Sequence, residues 1–253
     1  MAEAVPGKSV VVTTFLRAPV WREHAERLAA SLGLPCRPEK DLPADALQLR
    51  VQPEGLELAE PEDRPGRGLM LRAPESWFAS HSPERSKKQL LGRALGRSVQ
   101  SVIDATGGLG EDALRLALMG FDVRVVERQP VLAAMLDDAV ARLGARLDPG
   151  RMTPVRGDAR EVLPALDPRP DAVYVDPMFP PKRRVSALPR KSIQIIRALA
   201  GDDPDAADLV ALARQVARQR VVVKRPDHAP PLVPEPSHDI RGKLVRYDVY
   251  LNV

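Results

Sequence analysis

Cysteine and histidine are scarce in this sequence, and their scarcity excludes several classes of protein. Cys36 is the single cysteine among 253 residues, and there are four histidines. One thiol cannot form an intrachain disulfide, which favours a reducing compartment, so we predict a cytoplasmic protein. The cysteine and histidine clusters that hold zinc are also excluded by count, and we predict no metal site.

Long apolar runs and aromatic residues are scarce as well. No stretch approaches the ~18 consecutive apolar residues of a membrane span, and the N-terminal residues lack the basic and apolar segments of a secretory signal. Aromatic residues make up 4% of the chain, too few to predict a base-stacking platform. The 38 Lys and Arg residues exceed the 34 Asp and Glu residues, and this net charge of +4 permits a nucleic-acid partner without requiring one.

The pattern of apolar residues divides the chain into two parts. Residues 1–75 combine one amphipathic helix, Val20 to Leu32, with short alternating strands, which predicts a small α+β domain with a core of its own. Residues 76–253 begin with a basic amphipathic segment, Ser82 to Leu95, which we predict to be a helix that either faces solvent or contacts RNA. From residue 101 onward strands and helices alternate, which predicts a Rossmann-like α/β sheet.

A glycine-rich loop follows the first strand of that sheet. The apolar run Ser101-Val102-Ile103 leads into Asp104, and the loop at 107–110 precedes a predicted helix. Gly108 and Gly110 allow a sharp turn and the close approach of a ligand. The same glycines fit the dinucleotide pattern G-x-G-x-x-A, so an NAD(P)-dependent oxidoreductase is one interpretation.

The acidic residues around this loop favour a different cofactor. Glu111 and Asp112 stand where the helix N-terminus would meet a pyrophosphate, which they would repel. S-adenosylmethionine carries a sulfonium and an ammonium group and no phosphate, so Asp104, Glu111 and Asp112 suit it better. Glu127 ends the next strand, at the spacing where a carboxylate binds ribose hydroxyls. The alternative is that these acids only favour a helix start or lie exposed at a strand end.

A second motif, Asp176-Pro177-Met178-Phe179, follows the buried strand Ala172 to Val175. Ligands of parallel α/β sheets lie at the carboxyl ends of strands. A carboxylate from Asp176 and the Pro177 carbonyl can accept the two N–H hydrogens of an aromatic amine and direct its nitrogen at a methyl donor, while Phe179 can stack on the base. The alternative is a plain turn after a strand.

Basic residues follow this motif and end the fifth strand of the sheet. They suit RNA phosphates, and the alternative is a solvated loop. The predicted RNA contacts are Lys182, Arg183, Arg184, Arg190, Lys191, Lys224 and Arg225.

The motifs together resemble those of a known family. The loop from Asp104 to Gly110 is similar to the S-adenosylmethionine loop of class I methyltransferases, and Asp176 to Phe179 resembles the Asp/Asn-Pro-Pro-Tyr/Phe motif of methyltransferases that act on exocyclic amines. With Val126-Glu127-Arg128 and the run from Val221 to Pro231, residues 76–251 resemble the ribosomal RNA small subunit methyltransferase J family.

The resemblance implies S-adenosylmethionine as cofactor and methylation of N2 of a guanosine in 16S rRNA or the small ribosomal subunit. The cofactor contacts implied by matching positions are Glu111, Asp112, Glu127, Arg128, Asp158, Ala159 and Asp176. In similar enzymes an acid after the third strand accepts from the adenine amino group, which is the role implied for Asp158. Besides the oxidoreductase, the remaining alternative is a non-catalytic RNA-binding module on a methyltransferase-like fold.

Overall fold

The N-terminal part of the chain forms a three-stranded sheet with one long helix beside it. The computed structural model describes residues 8–178 and 191–252. In this sheet a central strand pairs in parallel with one neighbour and antiparallel with the other. The elements are β1 (Val10–Thr13), α1 (Pro19–Leu32), β2 (Leu47–Gln52) and β3 (Gly55–Ala59). The helix ends at Gly33, whose left-handed backbone lets its N–H reach the carbonyls of Ala29 and Ala30.

The second sheet has seven strands. They are β4 (Ser101–Asp104), β5 (Asp122–Glu127), β6 (Arg151–Arg156), β7 (Ala172–Val175), β8 (Arg220–Pro226), β9 (His238–Arg241) and β10 (Val245–Leu251). Their spatial order is β6-β5-β4-β7-β8-β10-β9, and β10 runs in the direction opposite to the other six strands described here. The order reverses between β4 and β7, where open α/β sheets bind their ligands. The predicted Rossmann-like α/β sheet is confirmed.

Helices cover both faces of this sheet, while the helix Lys191–Ala200 packs in the core of the N-terminal sheet. The helices after α1 are α2 (Glu75–Phe78), α3 (Leu90–Leu95), α4 (Glu111–Leu118), α5 (Pro130–Leu143), α6 (Ala159–Val162), α7 (Lys191–Ala200) and α8 (Ala206–Val216). On one face, α3, α4 and α5 pack over Val102, Tyr174 and Val222. On the other face, α8 packs over Val173 and Val221. Alternate residues of one strand therefore enter different cores, which explains why β7 is buried along its whole length.

The core of the N-terminal sheet is shared with the rest of the protein. Leu49 and Leu58 belong to the same buried cluster as Leu132 and Met135 of α5 and Ile195 of α7. The expectation that residues 1–75 have a core of their own is therefore wrong, because the sheet uses α5 as part of its cover. The domain boundary near residue 75 stays a prediction.

The segment Ser82 to Leu95 is not one helix. It forms a short 3-10 turn at Pro83–Arg85 and then α3, with an extended residue at Ser86 between them. The chain folds back so tightly that a Cβ at Gly92 would lie 2.7 Å from the backbone of Lys87. The Lys87 ammonium packs 4.0 Å from the centre of the Phe121 ring, so a single basic helix face does not form. Within the described ranges no helix is long and apolar enough to cross a membrane.

Candidate active site

The glycine loop between β4 and α4 is packed on its inner side and open on its outer side. Gly107 donates its N–H to Val126 at 2.9 Å, and Gly110 donates to Gly107 at 2.8 Å. A Cβ at Gly110 would lie 2.5 Å from the Leu136 side chain, whereas at Gly108 the nearest atom would be 3.9 Å away. Both Gly108 and Gly110 have positive φ, at 54° and 81°. The loop can therefore hold a ligand against the Gly108 backbone.

Glu127, at the end of β5, binds this loop directly. Its Oε2 accepts the N–H of Gly108 at 2.6 Å, and its Oε1 accepts the N–H of Gln129 at 2.7 Å. The residue is 8% exposed, and burial raises the pKa of its carboxyl group. The predicted ribose-binding acid thus lies at the loop, where it also fixes the loop backbone.

Asp104 and Thr106 connect the loop to the second motif. Asp104 is 2% exposed and accepts the Thr106 N–H at 3.1 Å, and burial raises its pKa to about 7. The Thr106 hydroxyl oxygen accepts the N–H of Asp176 at 2.7 Å. The carboxyl ends of β4 and β7 are therefore joined through one threonine side chain.

A lysine bridges two of the predicted acids. Lys224 of β8 donates from Nζ to Asp112 at 2.7 Å and to Asp176 at 2.8 Å, and the Tyr174 hydroxyl donates to Asp112 at 2.7 Å. The Asp176 side chain is one-third exposed, and loss of solvation raises its pKa to about 6 against the lowering effect of Lys224. For Asp112, burial acts in the same direction, but Lys224 and Tyr174 outweigh it and its pKa is lowered. We call Asp112, Lys224 and Asp176 the ion triad.

Two members of the triad, Asp112 and Lys224, border a cavity of about 270 Å³ between α3, α4 and β10. Gln89, Leu90, Arg115 and Tyr247 also line this cavity. Arg115 contacts Asp112 at 3.2 Å. Glu111, in contrast, points to the exposed side of α4, where 64% of its side chain is accessible.

A second charged cluster lies beside the motif turn, and part of it was not predicted. Asp203 accepts the N–H of Met178 at 2.7 Å through one oxygen and pairs with Arg128 at 2.6 Å through the other. Arg128 also pairs with Asp205 at 3.3 Å and lies 4.0 Å from Asp158. The signal for these acids is the sequence Asp202-Asp203-Pro204-Asp205 directly before α8, which places carboxylates at the same edge of the sheet.

Asp158 and Ala159 begin the short helix α6. Asp158 caps that helix by accepting the Arg160 N–H at 2.9 Å, and hydrogen bonds from Arg160 lower its pKa to about 2. Ala159 is buried. The helix start therefore lies next to Arg128 at the end of β5.

Three of the basic residues predicted to contact RNA lie in the described part of the chain. Lys224 belongs to the ion triad through its hydrogen bonds to Asp112 and Asp176. Arg225 is 7% exposed, and its guanidinium donates to the Pro230 carbonyl. The phosphate contact expected of Arg225 does not fit this burial, because the alternation of β8 turns its side chain inward. Lys191 pairs with Glu60 and Asp63.

Pro177 is buried at the motif turn. Outside the described residues lie Phe179, Lys182, Arg183, Arg184 and Arg190.

The site suits a cationic cofactor better than a phosphate. Carboxylates from β4, α4 and β7 lie within one hydrogen-bonded cluster around the ends of the strands. The exposed Gly108 backbone offers room for a nucleoside, and Glu127 offers a carboxylate beside it. S-adenosylmethionine, with its positive sulfonium and ammonium groups, fits this charge distribution.

Comparison with known proteins agrees with this assignment. A family model described as "Putative SAM-dependent methyltransferase" matches residues 29–252. Ribosomal RNA small subunit methyltransferase J of Thioalkalivibrio sulfidiphilus is 42% identical over 241 residues, which cover 91% of this chain and 93% of that protein. The protein of the same name from Chromohalobacter salexigens is 39% identical over 247 residues, covering 91% and 94%.

A solved structure has the same fold over nearly the whole chain. The SAM-dependent methyltransferase of Neisseria gonorrhoeae superposes with a TM-score of 0.69 and 26% identity, covering 96% of each chain. The similarity thus reaches into the N-terminal segment, further than the resemblance over residues 76–251 indicated. These matches also exclude the oxidoreductase interpretation. The chain belongs to the ribosomal RNA small subunit methyltransferase J family of S-adenosylmethionine-dependent methyltransferases.

Proposed function

We propose that this methyltransferase transfers a methyl group from S-adenosylmethionine to the exocyclic N2 of a guanosine in 16S rRNA. The observation that carries the proposal is the position of Asp176. It ends β7 beside the glycine loop, in a chain whose relatives at 37–46% identity are named as small subunit rRNA methyltransferases. The substrate is the rRNA itself or the small ribosomal subunit that contains it.

Guanine N2 is a weak nucleophile because its lone pair is conjugated with the ring. Asp176 and the Pro177 carbonyl accept the two N–H hydrogens and hold the nitrogen toward the methyl group. When bound, S-adenosylmethionine supplies a methyl group on a positively charged sulfur. The new N–C bond forms as the S–C bond breaks, and the sulfur keeps the electron pair. The nitrogen then loses one proton, for which the Asp176 carboxylate is the adjacent acceptor.

The cofactor is held by the acids that surround the glycine loop. Glu127 binds the ribose hydroxyls, and Asp158 accepts from the adenine amino group, with Ala159 beside it. Asp112 provides negative charge for the cationic end of the cofactor, whereas Glu111 lies exposed on α4 and Asp104, whose pKa is raised to about 7, acts as a hydrogen-bonding group beside the loop. Arg128 positions Asp158 through the charged cluster.

RNA phosphates are bound by the basic run after the motif. Basic side chains that come soon after the motif in sequence can contact the RNA backbone on either side of the target nucleotide. The residues of this run are Lys182, Arg183, Arg184, Arg190 and Lys191. Phe179 stacks on the target base.

The substitution Asp176→Asn tests the function. It keeps the shape of the side chain and removes the charge, so single-turnover methyl transfer from labelled S-adenosylmethionine to 16S rRNA should fall by roughly 10² or more, with a smaller change in cofactor affinity. Asp122→Asn, on an exposed residue at the opposite end of the sheet, is the matched control. Nucleoside mass spectrometry of the product should detect N2-methylguanosine.

Two outcomes would contradict the proposal. A folded Asp176→Asn enzyme that binds cofactor and turns over at the wild-type rate would exclude Asp176 as the amine acceptor. A wild-type protein that binds 16S rRNA and S-adenosylmethionine without any transfer would favour the non-catalytic RNA-binding module instead.

A further inference from the structure

The ion triad results from the register of two parallel strands. Val175 of β7 pairs with Val223 of β8, so Asp176, just past the end of β7, lies level with Lys224 within β8. Two residues earlier, Tyr174 and Val222 face the core under α4. Because side chains alternate along a strand, Asp176 and Lys224 turn toward the same helix, where Asp112 lies in its first turn.

Lys224 contacts only one of the two carboxylate oxygens of Asp176. Its ammonium donates one hydrogen bond to Oδ2 of Asp176 at 2.8 Å and a second to Asp112 at 2.7 Å. Asp176 therefore has a fixed orientation, with its backbone N–H bound to Thr106 and Oδ2 bound to Lys224. Within the described residues no hydrogen bond to Oδ1 is found, and this oxygen is the one that we assign to the target amine.

The charge of Lys224 opposes an unfavourable environment for the Asp176 carboxylate. The groups that act on Asp176 from the surrounding elements are Asp104, Asp112, Asp203, Tyr174, Tyr247 and Lys224. Three of these are acids, and burial adds to their effect, so all of these influences favour the protonated form of Asp176. In the described part of the chain, Lys224 is the cation that lowers the pKa of Asp176. Asp176 and Asp112 in turn raise the pKa of Lys224 even though burial acts to lower it, so the ammonium stays charged.

We propose that Lys224 is a positioning residue that keeps Asp176 negatively charged and oriented to accept the target amine. The role rests on the proposed function of Asp176 and replaces the phosphate contact that the sequence predicted for Lys224. A protonated Asp176 would present a hydroxyl donor to a group that itself donates, so no aligned amine would form.

The pH dependence of single-turnover transfer at saturating cofactor tests this role. The wild-type rate should rise with pH through the Asp176 titration near pH 6 and level off above pH 7. In Lys224→Met the rise should move upward by about one to three pH units, which lowers the rate at pH 7 by about twofold to a hundredfold and restores much of it near pH 9. Lys224→Arg keeps the positive charge and should keep the rise near its wild-type position.

Two further measures separate this effect from a loss of structure. Lys224→Gln keeps a hydrogen-bond donor without charge and replaces Lys224→Met if that variant does not fold. Lys243→Met, at an exposed lysine between β9 and β10, is the control and should leave the profile unchanged. A loss of rate that is the same at every pH, in either neutral variant, would overturn the proposal, because a merely structural role does not depend on the Asp176 proton.

A readout without RNA keeps the two hypotheses distinguishable. The carboxyl carbon of Asp176, followed by ¹³C NMR and assigned with Asp176→Asn, should titrate at higher pH in Lys224→Met than in the wild type. Equal titration in the two proteins would overturn the role of Lys224. A shifted titration supports that role even if the wild type fails to methylate 16S rRNA, a failure that would overturn only the proposed function.

Discussion

Glu127 should serve both the cofactor and the loop that holds it, and its substitution should therefore change two quantities. The carboxylate accepts backbone N–H groups from Gly108 and Gln129 at 2.6 and 2.7 Å, and the residue is 8% exposed. A hydrogen bond to a charged group contributes about 1.5–3 kcal/mol. Glu127→Ala leaves both donors without their acceptor, which sets an upper bound of about 3–6 kcal/mol on the lost free energy of unfolding.

Two considerations make Glu127→Gln the better probe. Burial raises the pKa of the Glu127 carboxyl group, so its charged form is unfavourable in the folded state. Removing the carboxylate in Glu127→Ala therefore offsets part of the free energy of unfolding that is lost with the two hydrogen bonds. A loss near the upper bound would also be a large share of the ~5–15 kcal/mol that stabilises a typical domain. Glu127→Gln keeps one oxygen acceptor and the same volume, so it should lose about 1.5–3 kcal/mol and remain folded.

Calorimetry and urea unfolding measure the two effects separately. Loss of the ribose contact should weaken S-adenosylmethionine binding by roughly 1–3 kcal/mol, which is a 5- to 150-fold higher Kd. Glu161→Gln, on an exposed residue of α6, is the matched control. A folded Glu127→Gln protein with wild-type cofactor affinity would refute the ribose role, and an unchanged free energy of unfolding would refute the role in holding the loop.

Two more predictions concern RNA binding and stability. Replacing Arg183 and Arg184 together by Ala should weaken 16S rRNA binding and reduce the slope of log K against log salt by about one per lost contact. Arg124→Ala, at an exposed residue of β5, is the control, and an unaltered slope in the double variant would contradict the prediction. The pKa of Asp104 is raised to about 7, so the folded state holds this proton while the unfolded state loses it near pH 4. As the pH rises from 4 to 7, the free energy of unfolding of the wild type should therefore fall relative to that of Asp104→Asn, by up to about 1.4 kcal/mol per pH unit. Urea unfolding of both proteins across this range measures the difference, and parallel curves would contradict it.

Much of the sheet and of the acid constellation could be predicted because both depend on local sequence. A buried strand that ends in an acid, as at Asp104, Glu127 and Asp176, can be recognised from the spacing of its apolar residues and the place of the acid after them. The structure brings these three to one edge, since parallel strands place their carboxyl ends together.

The partners of these acids could not be predicted because they depend on contacts distant in sequence. Lys224 is 112 residues from Asp112, and Met178 is 25 residues from the Asp203 that holds its backbone. A lysine at a strand end predicts a surface charge unless the neighbouring strand is known. The same holds for Arg225, which lies opposite Arg246 of β10, a neighbour that the sequence around β8 does not reveal.

The sharing of α5 between the two sheets has a consequence for the order of folding during synthesis. The strands β1, β2 and β3 leave the ribosome before α5, and its core side chains Leu132 and Met135 follow about 70 residues after β3. At roughly 5–20 residues per second, this delay lasts several seconds. During that time the apolar face of the nascent sheet is uncovered, so the N-terminal sheet cannot finish folding before α5 has been made.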